Sequence, residues 1–312
     1  MVSTTPPTQR QKTALITGCS SGIGYQLCLE LASRNFKVFA CARRLEKMNS
    51  LKEKYPDNIV TLQVDVSSKE SIEKCYEVVK EELIKLDGDS QIPKLDLLWN
   101  NAGQACQLPS IDLPDEAIIS LTMVNFVAPV RITKIFSQLV INAEGTIAFT
   151  GSMLAHCPMP FTSLYSATKA GLEEYVSVLS FEMEPLNVKV IHCTVGGVDT
   201  GISDPRQMDP NSIYCSTKEC LAAMEVKEKL VEKSKPMACD VFAKKVVDKV
   251  LLAKLSTVEV YEGSLASIFS FLGKFAPRWL LLTVFKARYK IGPAWESINR
   301  KYVLKKSDKK TI

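Results

Sequence analysis

Histidine is almost missing from this 312-residue chain, which has only His156 and His192. With no Cys-x-x-Cys spacing either, no metal-ligand cluster can be read, and no metal site or zinc chemistry is expected. The ten cysteines, at 19, 28, 41, 75, 106, 157, 193, 215, 220 and 239, form no paired framework. Several fall on expected strands or packed helices, as reduced, buried thiols do in a cytosolic setting. The opening residues, 1–12, are a polar tail without the apolar stretch of a secretory signal. Carboxylates are scarce at the C-terminal end: the nine Lys or Arg from Lys286 onward face only Glu296 and Asp308. That segment alone outweighs the chain's net charge of +5. The remainder is therefore slightly acidic, which gives a nucleic-acid role no support. A clean transmembrane run is also lacking. Ser264–Phe285 is rich in Phe and Leu, but Lys274, Pro277 and Arg278 interrupt it. An interfacial segment with its apolar face in the acyl boundary fits better, and a lid or dimer surface is the alternative.

What is present is a constellation for moving protons. Tyr165 and Lys169 stand at i and i+4, so they share a helix face, and Ser152 lies on a loop just ahead. A lysine cation beside a phenol favours phenolate, bringing the tyrosine toward the working range of a general acid. Ser152 is placed to polarise the same substrate oxygen.

The start of the folded region supplies a nucleotide site. Thr13–Thr17 is a short apolar run suited to a buried parallel strand, and Gly18-Cys-Ser20-Ser21-Gly22-Ile23-Gly24 follows directly. A periodic stretch from Ile23 to Ala32 predicts a helix. Strand, glycine turn and helix place a pyrophosphate on the helix N-terminus. The second strand, Phe36–Ala42, ends without the carboxylate that would select NAD; Arg43 and Arg44 follow instead. Two guanidiniums suit a 2′-phosphate, so NADP(H) is the expected cofactor.

Together these residues resemble the short-chain dehydrogenase/reductase family, from about Thr13 to Val260. The resemblance rests on the glycine loop, Asp65-Val66, Asn100-Asn101-Ala102-Gly103, Asn125, Ser152, Tyr165 and Lys169. It implies a Rossmann-type α/β fold, a doubly wound parallel sheet of about seven strands. It also implies that Asp65 and Val66 flank the adenine, that Asn100 and Gly103 support the cofactor loop, and that Asn125 completes a catalytic tetrad. Pro129, lacking an N–H, cannot bond the Asn125 carbonyl within one helix, which leaves that carbonyl for a water relay. One departure is Val195-Gly-Gly-Val198-Asp-Thr200, where the family usually has Pro-Gly-x-Val-x-Thr. Val198 and Thr200 remain as expected nicotinamide contacts.

Within the family the chain is most similar to fungal 1-acyldihydroxyacetone-phosphate reductases, then to 17β-hydroxysteroid and retinol dehydrogenases. Cys41–Met48, Leu95–Gln104 and Gly145–Ser152 carry that similarity. It implies a lipid carbonyl substrate and work at an endoplasmic reticulum or lipid-droplet surface, catalytic domain facing the cytosol. The organisation expected is a catalytic domain over 13–262 with a substrate loop at about 198–236, then a membrane-associating segment over 263–312. A homo-oligomer is compatible with the sequence. A rival reading takes Gly18-Cys-Ser20-Ser-Gly22 as the nucleophile elbow of a serine lipid hydrolase acting through Ser20.

Overall fold

The computed structural model describes residues 10–87, 91–202, 204–232 and 235–304. Strands and helices alternate as β1 (Thr13–Thr17), α1 (Gly22–Ser33), β2 (Lys37–Ala42), α2 (Asn49–Lys54), β3 (Ile59–Gln63), α3 (Lys69–Asp87) and β4 (Leu97–Asn100). Then come α4 (Asp115–Thr122), α5 (Ala128–Ile141), β5 (Thr146–Thr150), α6 (Ser163–Met183) and β6 (Lys189–Val195). The last part holds β7 (Val198–Asp199), α7 (Lys218–Glu232), β8 (Met237–Ala238), α8 (Cys239–Leu251), β9 (Glu259–Glu262), α9 (Ala266–Phe275), α10 (Arg278–Arg288) and α11 (Ile291–Asn299).

Seven strands form one sheet in the order β3-β2-β1-β4-β5-β6-β9, every neighbouring pair parallel. Alternation along these buried strands builds two cores. Ala14, Ile16, Val38, Ala40, Leu97, Trp99 and Ile191 point to the face covered by α1 and α8. Leu15, Phe39, Leu98, Ile147, Phe149 and Val190 point to the opposite face, with Val79, Phe136 and Leu172 from α3, α5 and α6. The order reverses between β1 and β4, so the loops after those strands open a crevice at their carboxyl ends, where doubly wound sheets bind ligands. All ten cysteines are free, and all but Cys215 and Cys239 are buried.

The helix expected to run through Asn125 and Pro129 does so, from α4 into α5, with one π turn, Met123–Val127, in which Ala128 N–H reaches the Met123 carbonyl. The widened turn is where Pro129 withholds its donor. This Asp115–Ile141 run is long and apolar enough to cross a membrane by length and composition. Its Leu121, Ile132, Phe136 and Leu139 are nevertheless buried inside the domain, as in a core helix.

The hydrophobic C-terminal segment folds as α9 and α10, with Pro277 at the break. Leu281, Phe285 and Tyr289, four residues apart, bury one stripe against Cys157 and Ile291. The other faces leave Ile268, Phe271, Phe275, Trp279, Leu282 and Val284 exposed. Of the basic tail, Lys286, Arg288, Lys290, Arg300 and Lys301 are described. Lys305, Lys306, Lys309 and Lys310, like residues 1–9, lie outside the described residues. The expected substrate loop is bracketed by the β7–β8 pair, and its residues 203, 233 and 234 also lie outside. Asp204 accepts from Gln107 N–H at 2.7 Å, and Arg206 donates to the Ala105 carbonyl at 2.7 Å, so this loop closes over the segment after β4.

Candidate active site

The glycine loop is shaped by how closely two backbones meet. Gly18 holds φ +76°, and a Cβ there would come within 2.8 Å of Ala102 Cα. A Cβ on Gly24 would lie 2.4 Å from the Gly18 carbonyl oxygen. The turn after β1 therefore presses on the turn after β4. Thr17 Oγ1 accepts the N–H groups of Asn101 and Ala102, both at 3.0 Å. Asn101 donates to the Thr17 carbonyl at 2.9 Å and accepts from Thr150 Oγ1 at 3.1 Å. Asn101 thus joins three strand ends. Asn100, expected to share that task, instead donates to Thr133 Oγ1 at 3.2 Å on the helix side, because successive strand residues point to opposite faces.

One cleft runs past these loops. It is lined by Gly18, Ser20, Ser21, Gly22 and Ile23, by Arg43 and Arg44, by Asp65 and Val66, and by Asn101, Ala102 and Gly103. Ser152, Tyr165, Lys169, Val198 and Thr200 line its other end. Gly24 and Asn125, both among the expected site residues, stand behind the wall. Gly24 is the packing contact beneath Gly18. Asn125 is fully buried and grips Gln104, accepting from its N–H at 2.8 Å and donating to its carbonyl at 3.0 Å. Sequence reasoning missed Thr17, Gln104 and Thr150. Their polar atoms do the holding, but a single Thr or Gln carries no spacing signal.

At the catalytic end, Ser152 Oγ accepts from Leu154 N–H at 3.2 Å, capping the short turn Met153–Ala155, and shares the cleft wall with the Tyr165 phenol. Lys169 Nζ lies 5.9 Å from the Tyr165 ring centroid and donates to the Thr150 carbonyl at 2.8 Å. Burial pushes the Tyr165 phenol up, with the nearby Ser152 hydroxyl opposing it. Burial lowers Lys169 to about 8. Burial thus shifts the phenol away from the expected working range and the lysine down from its ordinary value.

The nucleotide end suits a dinucleotide with an extra phosphate. Ser21 precedes α1 without a side-chain cap, and no acidic residue stands in the first turn, so its N–H groups face an anion unopposed. Asp65 is occupied by Ser67, whose N–H and hydroxyl it accepts at 2.9 and 2.7 Å. No ion pair engages Arg43 or Arg44 among the described residues. Ser20 has no histidine partner there either. His156 lies on Glu173 at 3.1 Å, and His192 pairs with Thr194 at 3.0 Å.

A family profile described as short chain dehydrogenase matches residues 12–211. The chain belongs to the short chain dehydrogenases. This dehydrogenase is accordingly an oxidoreductase of CH–OH and C=O groups. It is 39% identical over 284 residues to a Saccharomyces cerevisiae protein named NADPH-dependent 1-acyldihydroxyacetone phosphate reductase, covering 91% of this chain and 93% of that one. A Schizosaccharomyces pombe protein of the same name is 36% identical over 66% of this chain and 69% of its own. Among solved structures, a short-chain dehydrogenase from Streptomyces avermitilis superposes with TM-score 0.69 at 22% identity, covering 93% of this chain and 98% of the other. One from Burkholderia cenocepacia, in complex with NADP, gives 0.65 at 22% identity, with 88% and 98% covered. The proline missing before Gly196 in this dehydrogenase leaves the nearby cleft lining in place: Val195, Gly196, Val198 and Thr200 all face it.

Proposed function

We propose that the chain uses NADPH to reduce the ketone of 1-acyl-dihydroxyacetone phosphate, forming 1-acyl-glycerol 3-phosphate. One observation carries this reading. A single cleft connects a nucleotide end bordered by Arg43 and Arg44 to Ser152, Tyr165 and Lys169, in a chain similar along nearly its whole length to a protein named for that activity. When bound, NADPH supplies the hydride. Gly18, Gly22 and the first turn of α1 hold its pyrophosphate, Arg43 and Arg44 its 2′-phosphate, and Val198 and Thr200 its nicotinamide end. Ser152 donates to the ketone oxygen and Tyr165 gives that oxygen its proton. Lys169 keeps a positive charge beside the phenol as it ionises. Asn125 holds Gln104 with its side chain, while its main-chain carbonyl, opposite Pro129, serves the proton relay to solvent.

The work site is an endoplasmic reticulum or lipid-droplet surface, with the catalytic domain on the cytosolic side. The exposed apolar faces of α9 and α10 enter the acyl boundary, and the basic end of the chain meets anionic headgroups. The decisive assay is NADPH oxidation by purified protein against 1-acyl-dihydroxyacetone phosphate, a long-chain ketone and a 17-ketosteroid. The phospholipid precursor is the preferred substrate, and Tyr165→Phe loses about 10²–10⁴-fold in turnover. Preference for the steroid, or near-full turnover in the Phe variant, refutes the reading.

A further inference from the structure

Beneath the catalytic residues lies an ionic cluster that no sequence motif announces. Glu173 sits one turn beyond Lys169, so Tyr165, Lys169 and Glu173 line up at i, i+4 and i+8 on α6. His156, four residues after Ser152, places Nε2 at 3.1 Å from a Glu173 oxygen. Lys274 of α9 reaches the same oxygen at 3.5 Å, pairs closely with Glu259 of β9 and meets Tyr261 Oη at 3.0 Å. Tyr261 in turn donates to Glu259. His156, Glu173 and Glu259 gather their ligand-type atoms within 4.8 Å, and the lysine ammonium supplies the positive charge among them.

The same helix touches the Ser152 segment at other points. A Cβ on Gly273 would lie 2.3 Å from His156 Cβ, so α9 can dock there only with glycine. Cys157 Sγ donates to the Phe269 carbonyl at 3.2 Å, and Arg278, at the start of the next helix α10, donates to the His156 carbonyl at 3.0 Å.

We infer that Lys274 and Glu173 are positioning residues: they clasp the Ser152 segment and the Tyr165–Lys169 helix together at one point, fixing the spacing of the two halves of the catalytic set. Ser152 comes from the end of β5 and Tyr165 from α6, with a loop between them. Glu173 is fixed to α6 and His156 to the loop, and Lys274 braces the pair from a third element. Side chains that set such a spacing belong to the supporting shell on which a reactive geometry depends. Side chains of that kind shift coupling between elements, and a change of roughly tenfold in turnover is the expected scale.

The inference rests on Ser152, Tyr165 and Lys169 being the catalytic set. The test compares Lys274→Met, Lys274→Arg and Glu173→Gln with wild type and with Tyr165→Phe, using NADPH and 1-hexadecanoyl-dihydroxyacetone phosphate. Lys274→Met and Glu173→Gln should lower kcat about tenfold while the NADPH Kd, read by fluorescence, stays within about twofold. Lys274→Arg should restore most of the loss, because a cation is kept between the two glutamates. Amide hydrogen exchange supplies a readout without substrate. Residues 153–159 and the start of α6 should exchange faster together in Lys274→Met, with β1 and α1 unchanged. Wild-type kcat in both Lys274→Met and Glu173→Gln overturns the clasp. So does faster exchange confined to α9, a loss that Arg does not rescue, or a failure of both variants to fold, since the cluster would then be only structural. A fully active Tyr165→Phe would instead refute the catalytic assignment. A wild type inert on this lipid refutes the substrate and leaves the exchange result to judge the clasp.

Discussion

The two ends of the cleft are built on opposite plans. The nucleotide end is made of backbone: glycines at Gly18 and Gly22 with positive φ, a helix N-terminus, and strand ends tied by Thr17 and Asn101. Its parts are neighbours in sequence or lie at the ends of adjacent parallel strands. The catalytic end is held by side chains from four distant segments, His156, Glu173, Glu259 and Lys274, which meet only when the chain closes. The difference teaches where tolerance lies. A backbone cradle fails when a methyl group is added, whereas an ionic clasp fails when a charge is lost.

The largest effect should come from adding that methyl group. Gly24→Ala must fit a Cβ 2.4 Å from the Gly18 carbonyl, so the turn has to move away from the pyrophosphate position. Overpacking of this kind costs about 1–3 kcal/mol, or about 5- to 150-fold if all of it falls on NADPH affinity. Isothermal titration should show that loss with the exchange pattern of residues 153–159 unchanged. An unaltered Kd would break the contrast between the two plans.

A smaller effect belongs to the rim of the cradle, where side chains take over from backbone. Combining Ala42→Asp with Arg43→Ser should weaken NADPH and improve NADH, shifting the ratio of their kcat/KM by about tenfold. That is the scale of one lost charge-assisted hydrogen bond. If the ratio stays put, the 2′-phosphate is held elsewhere in the loop, beside Ser20 and Ser21.

At neutral pH the smallest effect belongs to a buried histidine, whose influence appears only on acidification. Burial lowers His192 to about 4, with Glu173 pulling it up and Lys169, His156 and Lys274 adding to the lowering. A histidine depressed in the folded state binds fewer protons there than when unfolded, so stability falls as pH drops from its ordinary 6.5 toward 4. Thermal melts of wild type should show this slope. His192→Asn should flatten that part of it, and a parallel curve for the variant would argue against the assignment.

The fold and the nucleotide end were legible because their signals are local. A strand, a glycine turn and a helix follow one another within twenty residues, and the missing carboxylate after Ala42 is a single position to read. The seven-stranded parallel sheet followed from the resemblance that these motifs carry. Asn125 was legible as a site residue, but its grip on Gln104 was not, since nothing in the sequence says which backbone an amide will hold. The cluster around Lys274 was out of reach for a plainer reason. In sequence Lys274 appears only as a charge interrupting an apolar stretch, and its partners lie up to 101 residues away. The tail read as an anchor appended to a finished domain, yet Gly273 and Phe269 pack on the loop that carries Ser152.

The three tryptophans report on three different depths. Trp99 is sealed in the sheet at 1% exposure, Trp295 is packed beside Phe161 and Tyr214, and Trp279 stands 68% exposed on the outer side of α10. Red-edge emission therefore belongs mainly to one residue, Trp279, among the exposed apolar side chains of α9 and α10. The protein carries its own optical probe of wetting: on the proposed membrane reading, a blue shift on adding anionic vesicles would report Trp279 entering lipid, with no label attached and the other two indoles as an internal reference.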